Sequence, residues 1–357
     1  MSEHSHRPLR IINSAAPIRI CDNGGWTDTW FAGHGRIFNI GVYPIVEVQM
    51  EIFNRSEVEQ RIVINAENFG ERYALDGGSG EGDWDRHPLL EATIDRMEIP
   101  EDLAFEVTIF SEAPSGAGTG TSAAVTVALV GALDCLTPGR LSPHEVAYTA
   151  HAVETEMLGL QSGIQDQLCS TFGGVNYIEM HSYPHATISK IQLPDSQWWE
   201  LERRLVLVYL GKSHYSSRIH EQVIRGLEDE GPDSPRLAPL RATAVASRDS
   251  LYGGDFAGLG RAMTENTEAQ RMLHPELVSK DADRVIEIAR SHGAVGWKVN
   301  GAGGDGGSVT LLCGHLSHAK RAMIAEIESE SGGYRAIPLY LSRHGLRIWQ
   351  HEDGCWC

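Results

Sequence analysis

One glycine-rich stretch has the residue types and the spacing of an anion-binding site. Residues 113–124 read APSGAGTGTSAA, with three glycines within five positions and three clustered hydroxyl groups. A strand-like segment precedes the stretch at residues 105–110, and a mostly apolar run follows it from residue 125 to residue 136. Glycines let backbone N–H groups approach phosphate oxygens, and a helix N-terminus adds partial positive charge. We therefore predict a phosphate-binding loop between a strand and a helix.

This loop differs from the two common nucleotide motifs. It contains no lysine and does not fit G-x-x-x-x-G-K-[ST], and its glycine spacing does not fit G-x-G-x-x-G. The residues that we expect to bind the phosphates of a nucleotide are Pro114, Gly116, Gly118, Thr119, Gly120, Thr121, Ser122 and Ala123.

Carboxylates and an arginine elsewhere in the chain could complete a phosphoryl-transfer site. Ser122 at the helix start and Glu154 on the next helix offer hard oxygen ligands of the kind that Mg²⁺ prefers. Asp166 lies 12 positions after Glu154 and could accept the proton of an attacking hydroxyl group. Arg19 could stabilise the charge that develops during transfer. Considered alone, Glu154 could be a solvent-exposed helix residue, and Asp166 could be a carboxylate at a helix N-terminus that interacts favourably with the helix dipole.

Several elements would position these residues. We predict a short strand over residues 16–20 that ends in a glycine turn, and an alternating strand over residues 42–53 with residues 61–65 as its partner. Ser142 begins a helix through a capping box with Glu145. The remaining predicted elements are a surface loop over 76–83, helices over 88–97 and from 162 to 173, a strand over 205–210 that opens a second domain, a loop over 228–235, a helix capped by Ser279, and a glycine cluster over 300–308 that leads into a strand over 309–313.

Composition excludes several classes of function. The 357 residues contain 30 Lys and Arg against 48 Asp and Glu, a net charge of −18, which argues against a nucleic-acid or anionic-membrane surface. The six cysteines form no C-x-x-C pair, so we expect neither a zinc site nor a disulfide framework, and we interpret the tail of residues 355–357 as incidental. The polar N-terminus and the absence of a long apolar run favour a cytoplasmic protein without a membrane segment.

Three motifs, in order, resemble those of the GHMP kinases, the family named for galactokinase, homoserine kinase, mevalonate kinase and phosphomevalonate kinase. Residues 16–28 are similar to the first motif, residues 114–124 to the phosphate loop P-x-G-x-G-L-G-S-S-A, and residues 298–308 to the third motif, G-A-G-G-G-G. The resemblance implies a two-domain α+β fold with the active site between the domains. It implies a ribosomal protein S5 domain 2-like domain over residues 1–195 and a ferredoxin-like domain over residues 196–357.

The resemblance also implies roles for single residues. The turn of residues 24–28, GGWTD, looks like the branch of L-fucokinase and D-glycero-D-manno-heptose 7-phosphate kinase. The family pattern G-x-x-D-Q at residues 163–167 makes Asp166 the catalytic base, with Arg19 assisting, and makes Glu154 a Mg²⁺ ligand. Residues 209–214 resemble a T-G-x-x-R segment whose basic residue faces the substrate. The implied substrate contacts are Gly25, Asp28, Gly163, Gly174, Lys212, His214, Gly303 and Gly304.

The function implied is ATP-dependent, Mg²⁺-assisted phosphorylation of a sugar hydroxyl, expected at the anomeric position of a free sugar or a sugar phosphate. A kinase of another polyol such as a cyclitol, and a catalytically silent sugar sensor, stay open as alternatives. Asp305 replaces a usual glycine and would repel phosphates unless it turns away. His214 stands where arginine is common, which favours a free sugar. His34, Arg36 and Asn39 could line the sugar pocket, whereas we expect His87, Trp26 and Trp297 to be structural.

Overall fold

The computed structural model of the chain describes residues 7–75, 84–137, 139–213, 218–352 and 355–356. The predicted loop over residues 76–83 lies outside these ranges, and so does His214. In the described part of the chain two β-sheets carry helices on their faces, which is the two-domain α+β architecture that the three motifs predicted.

The strands of the two sheets range in length from two to 20 residues. In chain order they are β1 (Arg10–Asn23), β2 (Gly35–Asn54), β3 (Ile62–Ala66), β4 (Glu71–Ala74), β5 (Leu103–Ser111), β6 (Val175–Ser182), β7 (His185–Lys190), β8 (Leu205–Tyr209), β9 (Gly296–Val299), β10 (Ser308–Leu312), β11 (Arg335–Ile337), β12 (Tyr340–Leu341), β13 (Arg347–Glu352) and β14 (Cys355–Trp356). The larger sheet has the order β14-β13-β1-β2-β5-β3-β4, with β6 and β12 also paired to β2 and β7 paired to β6. The smaller sheet has the order β11-β8-β10-β9.

Helices separate into those that cover the larger sheet and those that belong to the smaller one. In chain order they are α1 (Pro88–Arg96), α2 (Thr121–Asp134), α3 (Pro143–Ala152), α4 (Gln165–Phe172), α5 (Asp195–Arg204), α6 (Arg218–Glu230), α7 (Leu237–Tyr252), α8 (Phe256–Leu273), α9 (Lys280–Ser291) and α10 (Ser317–Ser329). Helices α2 and α4 pack on β1 and β2, whereas α8 packs on β9 and α9 on β10. Helix α7 bridges the two units because it packs on β2 and on α8.

The predicted strand, loop and helix around residues 113–124 are all present. Strand β5 leads into the glycine loop, and α2 begins at Thr121 directly after it. Helix α2 is apolar on every side and is buried in the main core, as expected for a helix enclosed by other elements. Gly131 lets it approach the C-terminal segment, because a Cβ at this position would lie 2.7 Å from Leu346 Cδ2. Helix α2 therefore packs on β1 and β2 of the larger sheet and, near its C-terminal end, against the C-terminal segment.

The predicted capping box is confirmed, and the helix that follows carries a distortion. The Ser142 side chain accepts from the Glu145 N–H, and the Glu145 carboxylate accepts from the Ser142 N–H at 2.7 Å. After α3, residues Val153–Met157 form a π-helical turn. Such turns redirect side chains and occur often at functional sites. This turn holds Glu154, which is buried.

The predicted pairing of residues 61–65 with the strand over 42–53 is wrong. Strand β3 pairs with β5 in parallel, and β5 takes the edge of β2 over Val46–Asn54. The prediction assumed a local hairpin, but β5 offers nine paired positions along β2. The longer, more apolar ladder excludes the neighbour in sequence, because non-local burial outweighs the proximity of β3 along the chain.

The predicted loop over residues 228–235 is wrong in its first part, because α6 continues to Glu230. Helix α6 is amphipathic, and Val223, Ile224 and Leu227 are buried against an apolar cluster that includes Trp26. The acidic residues lie in its last turn, and Gly231 ends it with a left-handed backbone, φ +76°.

The chain returns to the larger sheet at its end. Strand β12 pairs with β2, and β13 pairs with β1 from Arg10 to Ala15. The division at residues 195 and 196 stays a prediction, with these last strands on the larger sheet. No helix within the described ranges is both long and apolar enough to cross a membrane.

Candidate active site

Two glycine loops that are far apart in sequence touch through their backbones. A Cβ at Gly118 would lie 3.0 Å from the Asn300 oxygen, and one at Gly301 would lie 2.9 Å from the Gly118 oxygen. The Ser308 hydroxyl donates to the Ala117 carbonyl at 2.6 Å. Because neither glycine leaves room for a side chain, the phosphate loop and the third motif form one continuous backbone surface.

Arg19 connects the first motif to this surface. Its backbone N–H donates to the Thr119 oxygen at 2.9 Å, and its guanidinium donates to the Gly118 oxygen. The guanidinium also binds Asp166 with two hydrogen bonds, at 2.7 and 3.1 Å. Burial would lower the pKa of Arg19, but the Asp166 and Asp22 carboxylates raise it above its usual value. Arg19 is therefore a fixed, buried positive charge.

Asp166 lies in the first turn of α4, directly beside the phosphate loop. A Cβ at Gly120 would lie 3.0 Å from Asp166 Oδ2, so the loop must be glycine at the point where it passes the carboxylate. About a quarter of the Asp166 side chain is exposed, at 23%. The structure therefore brings together the predicted base, the predicted arginine and the predicted phosphate loop.

Two cavities meet at this pair. The larger has a volume of about 800 Å³ and the smaller of about 190 Å³, and Arg19, Asp166, Gly301 and Ala302 line both. A group that crosses from one cavity to the other must therefore pass the Asp166 carboxylate and the Arg19 guanidinium.

The larger cavity is lined by the predicted phosphate loop. The loop glycines Gly116, Gly118 and Gly120 have φ between +68° and +69°, which only glycine adopts without strain. Lining residues among the predicted ones are Pro114, Gly116, Gly118, Thr119, Gly120, Thr121 and Ser122. Beyond the loop, the cavity extends over Phe69 and His87. A cavity of this volume along a glycine loop and a helix start fits a phosphorylated ligand.

The smaller cavity has an aromatic wall and a polar wall. Trp26, Trp30 and Phe31 form the aromatic side, and Asp28 and Gln165 are on the polar side. Trp26 is held at φ +75°, an unusual backbone conformation for an aromatic residue. Strained backbone of this kind persists where the surrounding structure fixes it, and it is concentrated at binding sites.

Asp28 contacts two residues, one at the start of α4 and one just before it. Its Oδ2 accepts from the Gln165 N–H at 3.1 Å, at the first residue of α4. A Cβ on Gly163 would overlap this carboxylate, so Gly163 is required for the close approach. Burial raises the pKa of Asp28 to about 7, with a smaller contribution from the Asp166 charge, although the Gln165 N–H opposes the shift. Asp28 thus both caps α4 and lines the smaller cavity.

Glu154 and Ser122 fit a divalent cation. Glu154 Oε2 accepts from Gln167 Nε2 at 3.0 Å, whereas Oε1 is buried without a hydrogen-bond partner among the described residues. Burial raises the pKa of Glu154 to about 7, and the nearby Ser162 and Ser122 hydroxyls act in the opposite direction. A buried, unpartnered carboxylate oxygen beside a hydroxyl is the donor type that Mg²⁺ takes. Within the described residues no cluster of three or more His, Cys, Asp or Glu could hold a metal, so phosphate oxygens would have to complete the shell.

Other predicted substrate contacts lie outside the smaller cavity. Gly25 lies behind it, where a Cβ would be 2.9 Å from Asp22 Oδ2. Gly174 is bonded within the larger sheet, through Gly41 and Ser342. Gly303 accepts from His220 Nε2 at 3.0 Å. The structure does not bring these glycines to the cavity surface.

The remaining predicted residues lie near the third motif. The Gly304 N–H donates to the Leu277 oxygen at 2.9 Å. Lys212 pairs with Asp281 at 3.2 Å and with Asp305 at 3.7 Å, and it lines neither cavity. Asp305 is 78% exposed, so it turns away from the loop, which removes the expected repulsion of phosphates.

Several lining residues were not predicted from the sequence. Helix α6 contributes His220 and Ile224 to the smaller cavity, and the ring of His220 meets that of Trp26 with centroids 5.8 Å apart. Trp30 Nε1 donates to Glu228 Oε1 at 2.7 Å, which joins the aromatic wall to the same helix. Trp30 follows Asp28 by two positions, so its place beside the motif was a usable signal, whereas nothing in the sequence of α6 marks His220.

The candidates that the sequence left open divide into two groups. Asn39 lies behind α4 and donates to the Gln165 oxygen at 3.3 Å, so it supports the wall rather than lining it. His34 and Arg36 do not line the smaller cavity. His87 and Trp26 were both expected to be structural, but His87 lines the larger cavity and Trp26 lines the smaller one.

Two family models and several sequence relatives match the chain. Residues 89–174 match the GHMP kinases N terminal domain, and residues 247–326 match the GHMP kinases C terminal family. The chain is 31% identical over 258 residues to a mevalonate kinase of Thermococcus sibiricus, covering 70% of this chain and 71% of that one. It is 28% identical over 249 residues to a D-glycero-alpha-D-manno-heptose 7-phosphate kinase of Campylobacter jejuni, covering 70% and 71%.

Solved structures share the fold. A D-glycero-D-manno-heptose 1-phosphate kinase from Bacteroides thetaiotaomicron superposes with a TM-score of 0.71 at 22% identity, covering 95% of this chain and 98% of that one. The galactokinase of Lactococcus lactis, complexed with galactose, gives a TM-score of 0.67 at 17% identity, covering 95% and 94%. Because both family models match and a relative at 31% identity covers 70% of the chain, the chain belongs to the GHMP kinase family.

Proposed function

We propose that the chain transfers the terminal phosphoryl group of ATP to a hydroxyl group of a sugar or sugar phosphate, with the anomeric hydroxyl as the acceptor. The observation that carries this proposal is the position of Asp166 and Arg19, which line both cavities. One cavity has the glycine loop of a phosphate site, and the other has the polar and aromatic walls of a polyol site. Transfer between them needs a base and a cation at their junction.

The larger cavity is proposed to hold ATP. Its loop offers backbone N–H groups and the start of α2 to the phosphates. Glu154 and Ser122 would hold Mg²⁺, which would neutralise charge on the phosphate oxygens. The buried, unpartnered Oε1 of Glu154 supports this assignment.

The chain's own residues then supply the remaining chemistry. Asp166 accepts the proton of the attacking hydroxyl as the phosphoryl group is transferred. Arg19 stabilises the negative charge on that group, because its guanidinium is fixed by Gly118 and Asp166 before the reaction starts. Asp28 accepts a hydrogen bond from a second hydroxyl group of the acceptor and so fixes the orientation of the acceptor.

Support for a sugar comes from the smaller cavity and from the relatives. Carboxylates such as Asp28 accept hydroxyl hydrogen bonds, and the rings of Trp26, Trp30 and Phe31 offer an apolar surface for the C–H face of a sugar ring. Relatives named as a heptose phosphate kinase and as a fucokinase fused to a pyrophosphorylase act on acceptors of this chemical kind by their names.

A coupled ADP-release screen tests the proposal. Free hexoses, pentoses and heptoses, their phosphates, and cyclitols are each incubated with ATP and Mg²⁺. We expect at least one sugar or sugar phosphate to raise ADP release well above the rate without acceptor, and ³¹P NMR of the product to show a phosphate on the anomeric carbon. Selective turnover of a cyclitol would identify a different polyol kinase. Binding of sugar and ATP without ADP release would identify a sensor.

A further inference from the structure

A fully buried lysine lies behind the junction of the two cavities. Lys298, on β9, is 1% exposed, and its Nζ lies 3.2 Å from Asp22 Oδ1. The same ammonium donates to Gln270 Oε1 at 3.3 Å and to the Val299 oxygen. Lys298 lines neither cavity, so it cannot bind the nucleotide or the acceptor directly.

Asp22 links this lysine to the site. Its two carboxylate oxygens accept from the Gly301 N–H at 3.2 and 3.1 Å. Gly301 is one of the residues that line both cavities, and it contacts Gly118 in the phosphate loop. Asp22 therefore holds the third motif against the first.

Arg19 lies between two carboxylates that compete for it. Asp166 holds its guanidinium at 2.7 Å, whereas Asp22 Oδ1 lies 3.9 Å from Nη1. Lys298 is closer to Asp22 than Arg19 is, and it supplies the charge that Asp22 needs in a buried position. Without the ammonium, Arg19 would be the nearest cation to Asp22 among the described residues, and electrostatics would draw it away from Asp166.

We propose that Lys298 is a positioning residue, which neutralises Asp22 and thereby leaves Arg19 paired with Asp166 at the junction. The kinetic part of this inference rests on the proposed function. A buried ion pair is a weak source of stability, because apolar residues of similar volume stabilise as well or better. Its location beside Arg19 therefore points to alignment of the site rather than to stability alone.

The kinetic test compares two variants with the wild-type protein. In Lys298→Met the charge of Asp22 is uncompensated, and we expect kcat to fall about 100-fold, the scale of losing one charge-stabilising group. In Lys298→Met with Asp22→Asn the competition for Arg19 is removed, and we expect kcat to recover at least about ten-fold over the single variant. Calorimetric titration with ADP should give about one site per chain in both variants, which shows that the loss does not come from unfolded protein.

A matched control uses a lysine remote from both cavities. Lys320, on α10, donates to the Arg203 and Leu205 oxygens at 2.7 and 2.8 Å. We expect Lys320→Met to lower the melting temperature but to leave kcat at the wild-type value. If Lys298→Met does not fold by circular dichroism, Lys298→Gln replaces it, since the amide can still donate to Asp22 without carrying charge.

Crystal structures provide a readout that does not depend on turnover. In Lys298→Met we expect the Arg19 guanidinium to bind Asp22 and to leave Asp166, and in the double variant to return to Asp166. Arg19 still paired with Asp166 in Lys298→Met, an unchanged kcat in that variant, or a double variant as slow as the single one would overturn the inference. If the wild-type protein releases no ADP with any acceptor, the proposed function fails instead, and the crystal structures alone decide the role of Lys298.

Discussion

The two cavities that meet at Asp166 are built in different ways. In the larger one the longest continuous run of lining residues is 111–122, which contains the glycine loop and its exposed backbone groups. The smaller one is assembled from side chains of the first motif, the segment before α4, helix α6 and the third motif. A backbone site of the first kind recognises phosphate whatever it is attached to, whereas a side-chain site of the second kind can select one acceptor.

This difference separates chemistry from selectivity within one molecule. The loop is locally encoded, because positive φ angles at Gly116, Gly118 and Gly120 need only glycine. The smaller cavity depends on tertiary contacts such as the hydrogen bond from Trp30 to Glu228. We therefore expect substitutions in the two regions to change different kinetic constants, and the following measurements test that separation.

Among substitutions that should affect only one of the two cavities, the largest effect is expected in the smaller cavity, which is proposed to hold the acceptor. Asp28→Asn removes a charged hydrogen-bond acceptor, so kcat/KM for the acceptor should fall by about 10- to 100-fold, equivalent to about 1.5–3 kcal/mol. The affinity for ADP, measured by calorimetry, should stay unchanged because Asp28 does not line the larger cavity. An equal loss of ADP affinity would show that the two cavities are not independent.

A smaller effect is expected in the loop. Gly118→Ala forces an alanine into φ +68° and places its Cβ 3.0 Å from the Asn300 oxygen. The backbone strain is about 1–2 kcal/mol, so KM for ATP should rise about ten-fold while KM for the acceptor changes little. Gly293→Ala is the matched control, since Gly293, just after α9, has φ +76° and no atom within 4 Å of the added Cβ. It should lower stability and leave both KM values as they are; a similar rise in KM for ATP would contradict a local effect.

The smallest effect is a pH dependence. Because burial raises the pKa of Asp28 to about 7, the carboxylate is mostly protonated below that pH and mostly ionised above it. The ionised form accepts hydroxyl hydrogen bonds more strongly, so KM for the acceptor should fall about three-fold between about pH 6 and pH 8. Asp28→Asn should flatten this dependence. A slope that persists in the variant would assign the titration to another group.

The sequence predicted those parts of the structure whose causes are local. The glycine loop, the start of α2 and the capping box at Ser142 follow from single residues or short spacings, and all are present. The pairing of β3 with β5 could not be predicted in this way, because it depends on which distant strand offers the longer ladder. Likewise, the predicted loop over residues 228–235 begins too early, because burial of Leu227 favours a helix that continues to Glu230.

The candidate site shows the same division. Arg19, Asp166 and the loop were predicted as one unit, and the structure places them in contact. The acceptor side was predicted less well, since Lys212 faces Asp281 and His220 enters from α6 without any motif to mark it. Residue types along a chain indicate which groups could react, but which helix closes a cavity is decided by packing that the motifs do not encode.

The most direct test of the central claim is the turnover of Asp166→Asn on the acceptor identified by ADP release. The substitution keeps the size of the side chain and can keep one of its two hydrogen bonds from Arg19, but it removes the carboxylate that acts as the base. We predict a fall in kcat of about 100- to 10,000-fold, with ADP still binding at about one site per chain. A kcat close to that of the wild-type protein, with ADP binding intact, would show that transfer at the junction of the two cavities does not use Asp166 as its base.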